Sequence, residues 1–330
     1  MMRRRAFVIA LCLAGCGRTA PETATRASAT PLPSGAAASR APDADGSVES
    51  LRLILRTDRS EYFALVYWSD GLRVEGFLGR PRRGTSLPAV IYNRAGHLNL
   101  SSLRGPEIVP LVEAGFVTAA SQYRGNAGGE GREEFGGADV NDVLNLVPLL
   151  RSLPEVDPDR IGMMGWSRGG TMTLLALKQE SIRGRHDIRA AVAVGATADF
   201  SKGFWGRIQM LVVSLGRIGK RNEGFQDAVR DRSAVYWPEL INAPLLILHG
   251  ETDGMASLEK ACQLAALLER AGKTVKLVSY PGDNHALEAN DAGFPEALAW
   301  FQRFLGQPGE DHSFERHRAA IVTVWSTWPR

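Results

Sequence analysis

The sequence predicts a doubly wound α/β fold, with a mostly parallel eight-stranded sheet, helices on both faces and a small helical insert. Three observations carry this. Short apolar runs, too brief for helices, recur between about residues 60 and 280. Helical stretches separate most of them, and the runs are apolar throughout, as strands covered on both faces should be. A strand–helix–strand alternation of this kind pairs its strands in parallel.

The amino terminus precedes that pattern. Arg3, Arg4 and Arg5 are followed by the apolar run Ala6 to Ala14, much too short for a hydrocarbon core of about 30 Å and suited to a secretory signal. The run ends in Leu13-Ala14-Gly15-Cys16, which resembles the lipobox of bacterial lipoproteins. That resemblance implies cleavage before Cys16 and lipidation of its thiol; a plain signal peptide or a short uncleaved anchor is the alternative. Gly17 stands where an aspartate often retains lipoproteins at the inner membrane. The expected location is therefore the bacterial cell envelope, the outer membrane preferred over the inner.

Residues 1–15 thus read as signal peptide and residues 16–47 as a flexible tether of Ala, Thr, Pro, Ser, Gly and Arg, too poor in large apolar side chains to order itself. Residues 48–330 read as one domain. Cys12 would leave with the signal and Cys16 would carry lipid, so Cys262 alone remains and no internal disulfide is expected. Cleavage removes three arginines and no acid, taking the formal charge from +3 to 0. A nucleic-acid partner has no electrostatic support.

Within the domain, Tyr62 to Trp68 and Leu72 to Leu78, joined by Ser69-Asp70-Gly71, read as an antiparallel hairpin. Strands follow at Ala89–Tyr92, Phe116–Ser121, Ile161–Met164, Ala190–Val194, Leu245–Leu248 and Val275–Ser279. Helices are expected at Pro106–Ala114, Ala138–Leu153, Gly169–Gln179, Ser257–Ala271 and Pro295–Leu305, with a kink or break from Pro148 in the second. About residues 199–240 the alternation is interrupted by an insert containing Phe204, Trp205 and Ile208. It reads as a small helical lid over the carboxyl edge of the sheet, or else as a longer crossover packed on the body.

Gly165-Trp166-Ser167-Arg168-Gly169 matches G-x-S-x-G, in which a serine occupies a strained strand-to-helix turn and glycines remove the clashes. The motif alone is weak, but an apolar strand precedes it and a helical stretch follows, as the turn requires. A serine hydroxyl needs a base within hydrogen-bond reach and a carboxylate to fix the base's tautomer. Asp253 follows the strand at Leu245–Leu248, and His285 follows the strand at Val275–Ser279, giving the order Ser, Asp, His. Glu251 and Asp283 are rival carboxylates. His249 shapes its own loop, while His97, His186, His312 and His317 are poorly placed as bases.

Several segments together resemble the catalytic domain of the prolyl oligopeptidase family, with dienelactone-hydrolase-like proteins as close relatives. They are Tyr123-Arg124-Gly125, Phe135-Gly136-Gly137-Ala138-Asp139-Val140, Val156-Asp157-Pro158-Asp159-Arg160-Ile161, the serine turn, Ala243-Pro244-Leu245 running into His249-Gly250, and Tyr280-Pro281-Gly282 before His285. The resemblance covers about residues 70–305. It implies an α/β-hydrolase fold and a serine hydrolase, an esterase or a peptidase, with Ser167, His285 and Asp253 as triad. No cofactor or metal is expected.

Two oxyanion donors are then needed. One is the backbone N–H of Arg168; the other belongs to the loop Asn93-Arg94-Ala95-Gly96, where related peptidases carry a tyrosine or a His-Gly-Gly run. Arg94 stands in the tyrosine-like slot and could donate through backbone or side chain, or be a surface arginine. Family peptidases also carry an amino-terminal β-propeller, for which too few residues precede the sheet. Small esters and short peptides are therefore equal candidates as substrates. A silent envelope scaffold with the same fold is the contrasting expectation.

Overall fold

The computed structural model describes residues 44–97, 102–201, 223–287, 293–307, 321–324 and 326–328. The chain opens on three strands, β1 (Val48–Arg56), β2 (Ser60–Ser69) and β3 (Leu72–Pro81), with Asp70 and Gly71 at positive φ closing the second turn. Alternation then begins: β4 (Leu87–Asn93), α1 (Val109–Glu113), β5 (Val117–Ser121), α2 (Val140–Leu144) and α3 (Leu146–Arg151). Next come β6 (Val156–Trp166), α4 (Arg168–Ile182), β7 (Ile188–Val194) and α5 (Glu223–Arg232). The series closes with β8 (Leu245–Gly250), α6 (Leu258–Arg270), β9 (Val275–Tyr280) and α7 (Gly293–Leu305).

The strands form one sheet in the order β1-β2-β3-β5-β4-β6-β7-β8-β9. Pairing is antiparallel from β1 to β5 and parallel from β5 to β9. From β4 the chain steps one way to β5 and then crosses back to β6 on the other side. That reversal opens a crevice at the carboxyl ends of β4 and β6, the place where ligands enter open α/β sheets.

The sheet has nine strands rather than the expected eight. The addition is β1, an edge strand whose side chains are mostly exposed. It is held by its ladder to β2 rather than by burial, so it leaves no apolar run to read. Residues 44–47, assigned to the tether, are also docked: Gly46 N–H donates to the Trp68 carbonyl at 2.8 Å, and Trp68 N–H to that of Ser47 at 3.0 Å. The expected helix at 138–153 is broken at Asn145 into α2 and α3. Pro148 has no N–H to offer the carbonyl of Leu144, so the ladder lapses there. The signal, the lipidation site and the tether up to residue 43 lie outside the described residues, as does the apolar heart of the insert, 202–222. Among the described residues no helix is long and apolar enough to cross a membrane.

Apolar side chains cover both faces. One face packs Leu146, Leu150, Leu174, Leu264 and Leu268 against Ile91, Met163 and Ile247; the other packs Leu111, Trp300 and Phe301 against Val90, Val192 and Leu246. The tail, left without a role by the sequence, returns as a helical turn: Ile321 and Val324 are buried with Ile108 and Val112, and Trp328 lies edge-on to Tyr62 at 5.3 Å. At the other end of the hairpin, buried Asp142 accepts from Ser69 Oγ at 2.7 Å, Arg124 N at 2.7 Å and Arg124 Nη2 at 2.7 Å, joining β2, the segment after β5, and α2. Removing the carboxylate leaves the largely buried Arg124 guanidinium with Asp70 alone as its anion and takes the acceptor from Ser69 Oγ and Arg124 N. Asp142→Ala should lose about 3–5 kcal/mol, seen as a lowered midpoint in urea unfolding.

Candidate active site

The carboxyl ends of three strands converge on one point. β6 runs into Ser167, which caps α4 at φ 55° and ψ −118°, a conformation rare for a residue with a side chain. Its N–H donates to the Val194 carbonyl at the end of β7, 2.7 Å away. The turn closes because its flanking positions lack side chains. A Cβ on Gly165 would overlap the backbone of Gly169, and one on Gly169 would overlap the carbonyl oxygen of Asn93 at the end of β4.

The loop after β9 brings His285 to this serine, with Nε2 2.7 Å from Ser167 Oγ and Nδ1 2.7 Å from Asp253 Oδ2. A carboxylate only accepts, so Nδ1 carries the proton and the Nε2 lone pair faces the hydroxyl. The loop after β8 supplies Asp253, whose side chain is fully buried; its Oδ1 accepts from the N–H groups of Met255 at 2.7 Å and Ala256 at 2.9 Å. Burial pushes its pKa up, but the His285 hydrogen bond and these backbone donors outweigh that and hold it below the ordinary carboxylate value.

Asp253 rather than either rival carboxylate meets His285 Nδ1, and His249 stands behind it, with Nε2 3.4 Å from Asp253 Oδ2. Glu251 accepts from Ser279 Oγ at 2.9 Å, and Asp283 is buried with its carbonyl accepting from Thr252 N at 2.8 Å. His249 is fully buried, its Nε2 donating to the Ala256 carbonyl at 3.2 Å, which ties the loop that carries Asp253. Burial pushes its pKa down, favouring the neutral ring. His186 is exposed, and His312 and His317 lie outside the described residues.

Arg94 is not a surface arginine. Its side chain is 1% exposed, and its guanidinium donates to the Gln122 carbonyl at 2.9 Å and the Ala95 carbonyl at 3.2 Å. These bonds occupy the side chain, while the carbonyl oxygens of Asn93 and Arg94 lie against Gly169 of the serine turn. Arg168 likewise turns its side chain into the protein, and its N–H opens α4, where the first amides of a helix have no partner within the helix. Among the described residues, no group of three or more His, Cys, Asp or Glu side chains is placed to hold a metal ion.

Two positioning features escaped the sequence reading. Trp166 Nε1–H donates to the His285 carbonyl at 3.2 Å, tying strand β6 to the histidine loop. Gly195, just past β7, sits at φ 54° under the imidazole, and a Cβ there would lie 3.2 Å from His285 Nδ1. A glycine immediately after an apolar strand neighbouring the nucleophile's strand was the available signal.

A nucleophile turn, an oriented imidazole and a buried carboxylate on this sheet define a serine hydrolase of the α/β-hydrolase fold. Residues 101–308 match the model of the prolyl oligopeptidase family, and the chain belongs to that family. It is 30% identical over 238 residues to the uncharacterized peptidase YtmA of Bacillus subtilis, covering 72% of this chain and 91% of that protein. Among solved structures it resembles an acetyl xylan esterase from Paenibacillus sp. R4, at TM-score 0.63 and 16% identity, covering 78% of this chain and 89% of that one. The Pyrococcus horikoshii acylaminoacyl peptidase matches at TM-score 0.62 and 20% identity, covering 79% of this chain but 44% of that one.

Gly195→Ala should disturb the imidazole from beneath. A displacement of the base costs about 10- to 100-fold in kcat. Steady-state hydrolysis of p-nitrophenyl acetate, read beside the thermal midpoint, should show that loss with the fold retained.

Proposed function

We propose that the protein hydrolyses small carboxylic esters or short peptides through an acyl-enzyme on Ser167. His285 takes the hydroxyl proton as Ser167 attacks the carbonyl, then returns it to the leaving group; water repeats the cycle on the acyl-enzyme. Asp253 holds the imidazole in the reactive tautomer and stabilises the imidazolium. The backbone N–H of Arg168, at the positive end of α4, receives the oxyanion together with a donor from the Asn93–Gly96 loop, Arg94 being the candidate residue. The observation that carries this reading is the unbroken chain of two 2.7 Å hydrogen bonds from Ser167 through His285 to Asp253.

A fluorophosphonate probe should label the wild-type protein at a single serine and leave Ser167→Ala unlabelled. Unlabelled wild-type protein would support the scaffold reading, which family membership does not favour. Asp253→Asn should lower kcat by about 10⁴-fold, since the amide stabilises the wrong tautomer. Comparing p-nitrophenyl esters of graded chain length with aminoacyl-nitroanilides divides ester from peptide substrates.

We further infer that the protein is exported and held to the bacterial envelope by lipid on Cys16. Support comes from the arginines at 3–5, the short apolar run, the Leu13–Cys16 tetrapeptide and the polar tether that follows. Radiolabelled palmitate should enter the wild-type protein in its bacterial host and not Cys16→Ser, and sucrose-gradient fractionation should place the lipidated form in the outer membrane.

A further inference from the structure

The loop carrying the second donor and the turn carrying the nucleophile come from different strands, β4 and β6. Oxyanion stabilisation depends on their spacing, and one buried carboxylate touches both. Glu133 lies in the glycine-rich segment between β5 and α2, and its side chain is 1% exposed. Toward the β4 loop, Oε2 sits 3.3 Å from Arg94 Nη2 and Oε1 sits 2.5 Å from His97 Nδ1. Toward the turn, Oε1 accepts from Arg168 Nη1, and Asn126 Nδ2 donates to Oε2 at 2.6 Å.

Arg168 completes the bridge. The same Nη1 donates to the Gly96 carbonyl at 3.1 Å, while Nη2 meets Asp139 Oδ2 at 2.7 Å. Its guanidinium lies over the rings of Tyr123 at 4.4 Å and Phe135 at 4.7 Å, and Tyr123 in turn donates its hydroxyl to the Arg94 carbonyl at 3.1 Å. Burial raises the Glu133 pKa, but the hydrogen bond from His97 and the charge of Arg168 bring it down to about 2, so the carboxylate is anionic across the neutral range.

Well-packed apolar side chains of similar volume often serve stability as well as a buried ionic cluster does. What the charged groups supply here is direction: Arg168 has its backbone at the nucleophile and its guanidinium on the opposite loop. We propose that Glu133 is a positioning residue for acyl transfer, its carboxylate tying the β4 loop to the nucleophile turn and so setting the spacing of the two oxyanion donors. This rests on the triad reading above and adds to it a residue that touches neither substrate nor reacting atoms.

Glu133→Gln keeps the size and one acceptor but loses the charge that holds Arg94, His97 and Arg168 together. The spread donors should cost about 10- to 100-fold in kcat on p-nitrophenyl acetate, with KM unchanged and fluorophosphonate labelling slowed but still confined to Ser167. His97→Ala removes only the partly exposed arm of the bridge and should give a smaller drop in the same parameter, again without a change in KM. Near-UV circular dichroism reports whether each variant is folded. Folded Glu133→Gln with the wild-type kcat, or a loss confined to KM, overturns the proposal. If Glu133→Gln does not fold, His97→Ala decides, and wild-type kcat in that variant overturns it. A wild-type protein that neither turns over ester nor takes the probe would instead sink the triad reading, so the two failures are distinguishable.

Discussion

The structure depends on how closely β4 and β6 approach at their carboxyl ends. Asn93 pairs in register with Gly165, and two residues later the chain must turn out of the sheet and into α4 beneath the loop that leaves β4. There is no room for a side chain at Gly165 or Gly169, and Ser167 between them takes a left-handed φ. Such strain, of the order of 1–3 kcal/mol, persists only where surroundings over-determine it. Here the Ser167 N–H is fixed on β7, and Asn93 Nδ2 donates to Thr173 Oγ1, which itself donates to the Gly169 carbonyl. The strain presents the hydroxyl above the sheet with the first amide of a helix beside it.

With the nucleophile held in this way, the partners need only loops of correct length from neighbouring strands. β8 and β9 are parallel neighbours, so the loops bearing Asp253 and His285 leave the sheet side by side. They also bond to each other, Thr252 N–H and hydroxyl both donating to the Asp283 carbonyl. Asp253 is thus fixed within its own loop by Met255 and Ala256, and that loop is fixed to the next through Thr252 on the Asp283 carbonyl, while Trp166 reaches across from β6 to the His285 carbonyl. The triad is a consequence of strand order more than of any local sequence around the histidine.

What could be read in the sequence follows from this layering. Strands covered on both faces are apolar throughout, so β4 to β8 stood out, and a serine flanked by glycines between a strand and a helix announced the turn. The edge strand β1 had no buried face to advertise it. Whether Arg94 was a donor or a surface arginine stayed open in the sequence because the carboxylate beside it is Glu133, 39 positions away in the chain, and only the fold brings them together. Gly195 was an ordinary strand-end glycine until the imidazole above it was in place. Local periodicity reports burial, whereas pairing between distant loops is decided by topology.

The same logic separates the two substrate classes the site could serve. Attack on an ester or an amide carbonyl makes the same tetrahedral oxyanion, so the donors proposed at Arg168 and the β4 loop would treat both alike. The difference arises at collapse, because an alkoxide departs readily whereas an amine must be protonated as it leaves. That duty falls on the imidazolium of His285, whose ring sits over Gly195 and whose carbonyl is held by Trp166. A ring that wandered would slow the attack on both classes, since His285 Nε2 is also the base 2.7 Å from Ser167 Oγ, and would slow amide turnover further at the departure of the amine. Hydrolysis of an amide therefore draws on the aim of His285 twice, at attack and at departure, and that of an ester chiefly at attack.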